Sequence, residues 1–101
     1  MVRINWTSQA LNDLEAICEF IARDAPRYAQ LFANRVFEVV EQLRDFPLLG
    51  RVVPEIGRDD IREIILGNYR VIYRIIPDEV EILTIYHGAR LFDSSKIKFE
   101  I

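Results

Sequence analysis

The residues best suited to chemistry in this 101-residue chain are its only histidine and a loop glutamate. His87 stands beside Tyr86 at the end of a predicted strand, with Arg90 three residues further on. A histidine in this setting can serve as general acid or base on a phosphodiester. Glu55, in a Pro- and Gly-rich loop, is a candidate general base. The simpler alternatives are a surface or capping role for His87 and full solvation for Glu55.

Arginines on the predicted strands form the second group of candidates. Arg70 and Arg74 share one side of a strand and lie about 13 Å apart, at roughly 3.3 Å per residue. Arg62 comes from the preceding strand, and we expect it to join them. Such a cluster suits a phosphate or a protein partner. The alternative is a solvated face with salt bridges to Glu63 and Glu81.

Several other chemistries lack the residues they need. One histidine and one cysteine are too few for a zinc motif, and the chain has no Gly-rich phosphate loop. Ser94 and Ser95 lie near His87 without an acid to orient the imidazole, which argues against a catalytic triad. We therefore expect no metal and no cofactor. Cys18 falls on the apolar stripe of a helix, where we expect an inert small side chain.

Length and composition predict one globular domain covering residues 1–101. Half of the residues are apolar and 29% are charged, and the net charge of -3 counts against a protein that wraps nucleic acid. No apolar run approaches the roughly 20 residues that span a bilayer, so we expect no membrane contact and a cytoplasmic location. A single cysteine excludes an internal disulfide and indicates a reducing compartment. Residues 94–101 are weakly patterned, and we expect a mobile tail or a late-forming strand.

Periodicity predicts the element order β-α-α-β-β-β. Residues 2–6 alternate as a short strand, and Thr7 or Ser8 is placed to cap the first helix. A second helix begins at Pro26 and ends before the Phe46-Pro47 pair. Each helix presents an apolar stripe: Leu11, Leu14, Ile17, Cys18 and Ile21 in the first, and Ala29, Phe32, Ala33, Val36, Val40 and Leu43 in the second. The short link makes the helices an antiparallel pair.

The second half of the chain predicts an antiparallel meander. Residues 47–60 are expected to be loop, followed by strands at 61–66, 69–76 and 80–86, with Gly67-Asn68 as a two-residue hairpin turn. The predicted fold class is therefore α+β, with a helical hairpin covering one face of a small antiparallel sheet and the first strand at its edge. We expect the large aromatic residues to lie in the core: Trp6, Phe32, Phe37 and Phe46.

The ordered set of short motifs resembles the RelE/ParE toxins of type II toxin–antitoxin systems, including the plasmid stabilisation proteins. The matching pieces span about residues 2–92 and are, in order, Trp6-Thr7, Ala10-Leu11-Asn12-Asp13-Leu14, Phe46-Pro47-Leu48-Leu49-Gly50-Arg51, Pro54-Glu55, Ile61-Arg62-Glu63, Tyr69-Arg70-Val71-Ile72-Tyr73-Arg74 and His87-Gly88-Ala89-Arg90. The resemblance implies a growth-inhibiting toxin, a neutralising antitoxin partner, and an exposed apolar groove beside the helices for that partner.

The resemblance leaves three functions open. RelE-like members cleave mRNA on the ribosome, and by similarity to the YoeB-like branch Glu55 would be the base, Arg70 the phosphate-stabilising arginine and His87 the acid. ParE-like members poison DNA gyrase without being nucleases, and Arg62, Arg74, Tyr86 and Arg90 would then belong to a binding surface. A degenerate member would only bind its antitoxin and regulate its operon. The acidic balance and the closing His87–Arg90 motif favour the gyrase hypothesis.

Overall fold

The computed structural model describes residues 1–88. Two helices pack on one face of a five-stranded sheet, which confirms the predicted α+β class. The elements are β1 (Arg3–Trp6), α1 (Ser8–Ala22), α2 (Pro26–Gln42), β2 (Arg51–Val52), β3 (Ile61–Leu66), β4 (Tyr69–Ile76) and β5 (Glu79–His87). Arg90 and the predicted tail 94–101 lie outside the described residues. No helix within residues 1–88 has the length and apolar character needed to cross a membrane.

The sheet has the strand order β1-β5-β4-β3-β2 and is mixed rather than wholly antiparallel. β1 lies at the predicted edge, but it pairs with β5 in parallel. The path of the chain explains this pairing. After β1 the two helices lead to the opposite edge of the sheet, and β3, β4 and β5 then follow one another back across it, so that β5 ends up beside β1. The loop predicted at 47–60 contains the two-residue strand β2, which pairs with Arg62 and Glu63 of β3. A strand of two residues is too short to show an alternating pattern, so β2 was not predictable from the sequence.

The first helix begins at one of the two predicted caps. The Oγ1 atom of Thr7 accepts a hydrogen bond from the Ala10 amide at 3.1 Å and donates one to the Ile82 carbonyl at 2.7 Å. The first bond satisfies a free amide of the helix N-terminus, and the second ties that terminus to β5. Asp13 adds another link from α1 to β5, because its carboxylate accepts hydrogen bonds from the Thr84 hydroxyl and the Ile85 amide.

The two faces of the sheet are covered differently. On the helical face, Val71 and Tyr73 of β4 pack with Leu14 and Val36 of the helices in the main core. On the opposite face, which we call the loop face, a smaller cluster is covered by the loop before β3. Its buried members are Val53, Ile61, Ile72, Leu83 and Tyr86. The alternation predicted for β4 is therefore confirmed, with Ile72 on the opposite face from Val71 and Tyr73.

Three apolar residues expected in the core are exposed instead. Leu11 is 47% exposed, and Ala10 takes its place at the buried position of α1. Phe37 is 48% exposed and packs against Trp6, with ring centroids 5.3 Å apart and ring planes tilted by 52°. Phe46 is 64% exposed in the loop after α2. Helix periodicity allows a neighbouring residue to take the buried position, and the docking angle of the helix decides which one does.

We expect Leu14→Ala to lower the free energy of unfolding by about 2–5 kcal/mol, because the side chain is 7% exposed and its removal leaves a cavity. Urea denaturation of the purified chain measures this loss. Leu11→Ala is the matched control on the same helix, and its expected effect is about 0.5 kcal/mol or less. Equal losses for the two variants would contradict the observed orientation of α1.

Candidate functional site

Arg70 and Glu55, two of the three candidate catalytic residues, are in direct contact on the loop face. The Nη1 atom of Arg70 lies 2.9 and 3.0 Å from the two carboxylate oxygens of Glu55. The same nitrogen lies 3.3 Å from Oε1 of Glu63. The Arg70 side chain is only 16% exposed. Two carboxylates therefore neutralise this arginine and leave little of its charge for an incoming anion.

Glu63 connects Arg70 to a second arginine. Its carboxylate is fully buried, and its Oε2 atom lies 2.6 Å from Nε of Arg51 on β2. Glu55, Glu63, Arg51 and Arg70 thus form one network with two positive and two negative formal charges. The Glu63–Arg70 contact matches the salt bridge of the alternative interpretation, but the pair is largely buried and does not lie on a solvated face. The available sequence signal for burial of Glu63 is its place two residues after the buried Ile61, on the same side of β3.

A buried tyrosine holds the loop that carries Arg51. The Tyr73 hydroxyl accepts a hydrogen bond from the Gly50 amide and donates one to the Pro47 carbonyl, both at 2.8 Å. A Cβ atom on Gly50 would lie 2.6 Å from the Glu63 carbonyl oxygen, so only glycine fits there. Burial raises the pKa of the Tyr73 hydroxyl, which keeps it a neutral donor. The sequence gives no sign of these two hydrogen bonds, because a tyrosine within an alternating strand pattern is expected only to pack in the core.

His87 lies on the other side of the sheet. It pairs in register with Tyr69, and the two rings meet edge to face with centroids 5.0 Å apart. The ring lines a cavity of about 510 Å³ between α1 and β5, together with Asp13 and Phe20. Because neighbouring residues of a strand alternate between faces, His87 and Arg70 lie on opposite faces. The structure thus brings Glu55 to Arg70 and separates both from His87.

The remaining candidates do not form one cluster. Arg62 pairs in register with Tyr73, whose ring faces the helices. The guanidinium of Arg62 donates hydrogen bonds to the backbone carbonyls of Gly50 and Asp59, both at 3.0 Å. The expectation that Arg62 joins Arg70 and Arg74 is therefore wrong, because the two-residue turn sets a register that turns Arg62 to the other face. Arg74 pairs in register with Glu81 of β5. Tyr86 is 9% exposed and belongs to the loop-face cluster.

An apolar groove follows the seam between α2 and the β3–β4 hairpin. Its wider part is a cavity of about 660 Å³ lined by Tyr28, Leu31 and Ile65, which are 63%, 59% and 49% exposed. A second cavity of about 380 Å³ extends it to Leu49, and the two share Arg35, Ile65 and Leu66. Large apolar side chains exposed together in this way mark a surface for another molecule. We call this depression the β3 groove.

Among residues 1–88, no cluster of three or more His, Cys, Asp or Glu side chains is arranged to hold a metal ion. Cys18 is partly buried beside the main core, and burial raises the pKa of its thiol. A raised pKa lowers the thiolate fraction and with it the reactivity of the sulfur. The inert role of Cys18 therefore stays a prediction, which partial burial of the thiol favours.

The known proteins that this chain resembles are toxins. The family described as the ParE toxin of the type II toxin–antitoxin system parDE matches residues 4–92. Toxin Y4kP of Sinorhizobium fredii is 39% identical over 89 residues, covering 85% of this chain and 88% of the relative. Toxin RelE2 of Caulobacter vibrioides is 32% identical over 91 residues, covering 90% of this chain and all of the relative.

Two solved structures share the fold. A chain of the chromosomal ParDE toxin–antitoxin system from P. aeruginosa superposes with a TM-score of 0.72 at 24% identity, covering 86% of this chain and 96% of that one. A chain of the RelBE2 toxin–antitoxin complex from Mycobacterium tuberculosis gives a TM-score of 0.53 at 21% identity, covering 85% and 96%. At these identities, the two structures establish the shared fold.

Proposed function

Because the chain belongs to the ParE toxin family of type II toxin–antitoxin systems, we propose that it inhibits growth by poisoning DNA gyrase. Its partner is the cognate antitoxin, which neutralises it until the antitoxin is lost. Gyrase acts in the cytoplasm, so this is where the proposal places the toxin. Under this proposal the chain is not itself an enzyme, and its surface residues bind the target protein.

The observation that carries the proposal is the separation of His87 from Arg70 and Glu55. Cleavage of RNA through its 2′-hydroxyl needs a base, a charge-stabilising group and an acid around one phosphate. Here the sheet stands between the imidazole and the other two groups. Arg70 also contacts two carboxylates, which oppose the approach of a phosphate.

The charge of the chain supports the same proposal. Proteins that dock on RNA gain affinity by releasing counterions from phosphates, which requires clustered Lys and Arg side chains. The chain carries 13 Lys and Arg against 16 Asp and Glu. Of these, Arg51 and Arg70 are engaged by Glu63 and Glu55 on the loop face. A protein target is therefore favoured over a ribosomal one.

The alternative function is a ribosome-dependent mRNA endoribonuclease. The contact between Glu55 and Arg70 favours this nuclease, because its general base and its phosphate-binding arginine would lie side by side. Similarity to the Caulobacter protein named Toxin RelE2 also favours it. An inactive homologue that binds antitoxin and regulates its operon is the third possibility, and it predicts a harmless chain.

The deciding experiment is controlled expression of the chain without antitoxin, with growth, DNA breaks and mRNA ends followed in the same cells. We expect growth arrest, an SOS response and broken DNA, with mRNA left intact. His87→Ala should leave this toxicity unchanged, since a gyrase poison needs no catalytic acid. Codon-phased mRNA cuts that disappear in His87→Ala and Arg70→Ala would overturn the proposal in favour of the nuclease. Unimpaired growth with soluble, folded chain would favour the inactive homologue.

A further inference from the structure

The outer edge of β1 closes the sheet on the side opposite to β2. The amides of Arg3 and Thr7 bond to backbone carbonyls of β5 and of the residue before it, at 2.9 and 3.1 Å. Residues that bond to a neighbouring strand alternate with residues whose amide and carbonyl point the other way. Ile4 and Trp6 therefore direct their backbone groups outward, and such an edge can pair with another chain.

The open stretch of this edge is limited at both ends. Val2 also points outward, but its amide already donates to the Arg44 carbonyl at 3.0 Å. At the other end α1 begins at Ser8. Within residues 1–88, the outward amides and carbonyls of Ile4 and Trp6 make no backbone hydrogen bond. The free edge of β1 therefore consists of two amides and two carbonyls.

We propose that two copies of this chain join through β1, with the two strands antiparallel about a twofold axis at Asn5. In this register Ile4 of each copy lies opposite Trp6 of the other, and all four outward groups of each copy are bonded. An axis at Ile4 would pair Trp6 with Val2, whose amide is already bonded, and an axis at Trp6 would pair Ile4 with Ser8, which is in α1. The free edge is thus self-complementary in one register, as a twofold contact requires.

The side chains of the helical face suit this pairing. Ile4 and Trp6 pack against the main core and are only partly buried, so each can also contact its counterpart in the other copy. Aromatic and β-branched residues are favourable neighbours across an antiparallel pair. Phe37, which contacts Trp6, is 48% exposed and extends the apolar strip beside the edge. Pairing would therefore remove apolar surface from water on both copies.

Charge does not oppose the pairing, although each copy carries a net charge of -3. The charged residue of β1 is Arg3, whose guanidinium lies 3.8 Å from the Glu79 carboxylate. In the proposed register the two Arg3 residues are four positions apart, about 13 Å at roughly 3.3 Å per residue. The two Asn5 amides meet at the axis, where each can donate to the other. The β3 groove flanks the far side of the sheet and stays accessible.

Sedimentation velocity and amide hydrogen exchange of the purified toxin over a range of concentrations test the proposal. We expect a concentration-dependent dimer in which the amides of Ile4 and Trp6 exchange at least tenfold more slowly than in the diluted monomer, while the Asn5 amide, which faces β5, is protected in both. A toxin that stays monomeric, or a dimer without this protection, would overturn the proposal. Protection that appears only with antitoxin or gyrase present would assign the edge to that partner instead.

A matched pair of substitutions isolates the backbone contribution. Ile4→Ala keeps the outward amide, whereas Ile4→Pro removes it without breaking a bond to β5. We expect the dissociation constant of the dimer to be at least tenfold higher for Ile4→Pro than for Ile4→Ala, with the circular dichroism of both unchanged. Equal constants would overturn pairing through β1, and the exchange experiment decides the matter if Ile4→Pro does not fold. Neither measurement depends on whether gyrase or mRNA is the target.

Discussion

Tyr73→Ala is expected to lower the free energy of unfolding of this protein by about 4–6 kcal/mol. The ring is fully buried in the main core, and loss of a buried aromatic ring alone costs about 3–5 kcal/mol. The change also leaves the Gly50 amide and the Pro47 carbonyl without their hydroxyl partner. Since a domain of this size has only about 5–15 kcal/mol of stability, the variant should be close to unfolding. Urea denaturation at 25 °C measures the loss.

Tyr73→Phe separates the hydroxyl from the ring. It keeps the packing and removes only the two hydrogen bonds, so we expect a loss of about 1–3 kcal/mol. The denaturant slope should stay the same, because the surface exposed on unfolding does not change. A loss near zero for Tyr73→Phe would mean that the 47–50 loop is held by other contacts, and that Tyr73 serves only as core.

Glu63→Ala is expected to destabilise the fold by about 3–5 kcal/mol, because it removes a fully buried carboxylate that pairs with two arginines. Arg51 is 58% exposed and can turn to water, but Arg70 is 16% exposed and loses one of its two carboxylate contacts on the loop face. The cost therefore arises mainly at Arg70. Thermal or urea unfolding of the purified chain checks it.

Glu55→Ala is the matched control for Glu63→Ala, since both carboxylates pair with the same nitrogen of Arg70. The Glu55 side chain is 34% exposed, so solvent screens the pair and the expected loss is only about 0–1 kcal/mol. Similar losses for the two variants would contradict the role assigned to burial. A double variant, in which Glu63→Leu is combined with replacement of Arg70, is a further test. An apolar side chain of similar volume can recover part of the loss when no buried charge is left unpaired.

The helices and strands were predictable because each has a local pattern. Three- and four-residue apolar spacing marks α1 and α2, alternation marks β3 to β5, and Gly67 takes the left-handed φ of +57° that its turn requires. The hairpin turn and the capping by Thr7 rest on the same local chemistry. β2 was not predictable, since its two residues are held by pairing with β3 across a loop.

The candidate site shows where local patterns stop being informative. Alternation correctly put Arg70 and Arg74 on one side of β4, because it needs only the residues of that strand. Placing Arg62 required the register between two strands, which also depends on the turn that joins them. Whether Glu55 reaches Arg70 depends on the path of the loop before β3, and no spacing along the chain encodes that path.

The sequence by itself determined the family, the order of elements and the faces of β4, because these follow from short-range periodicity and ordered motifs. Only the tertiary structure decided that His87 lies across the sheet from Arg70 and Glu55. Only the tertiary structure, too, showed that Glu63 is buried between two arginines. These features arise from strand register, loop path and helix docking, which are set by contacts between residues far apart in the chain.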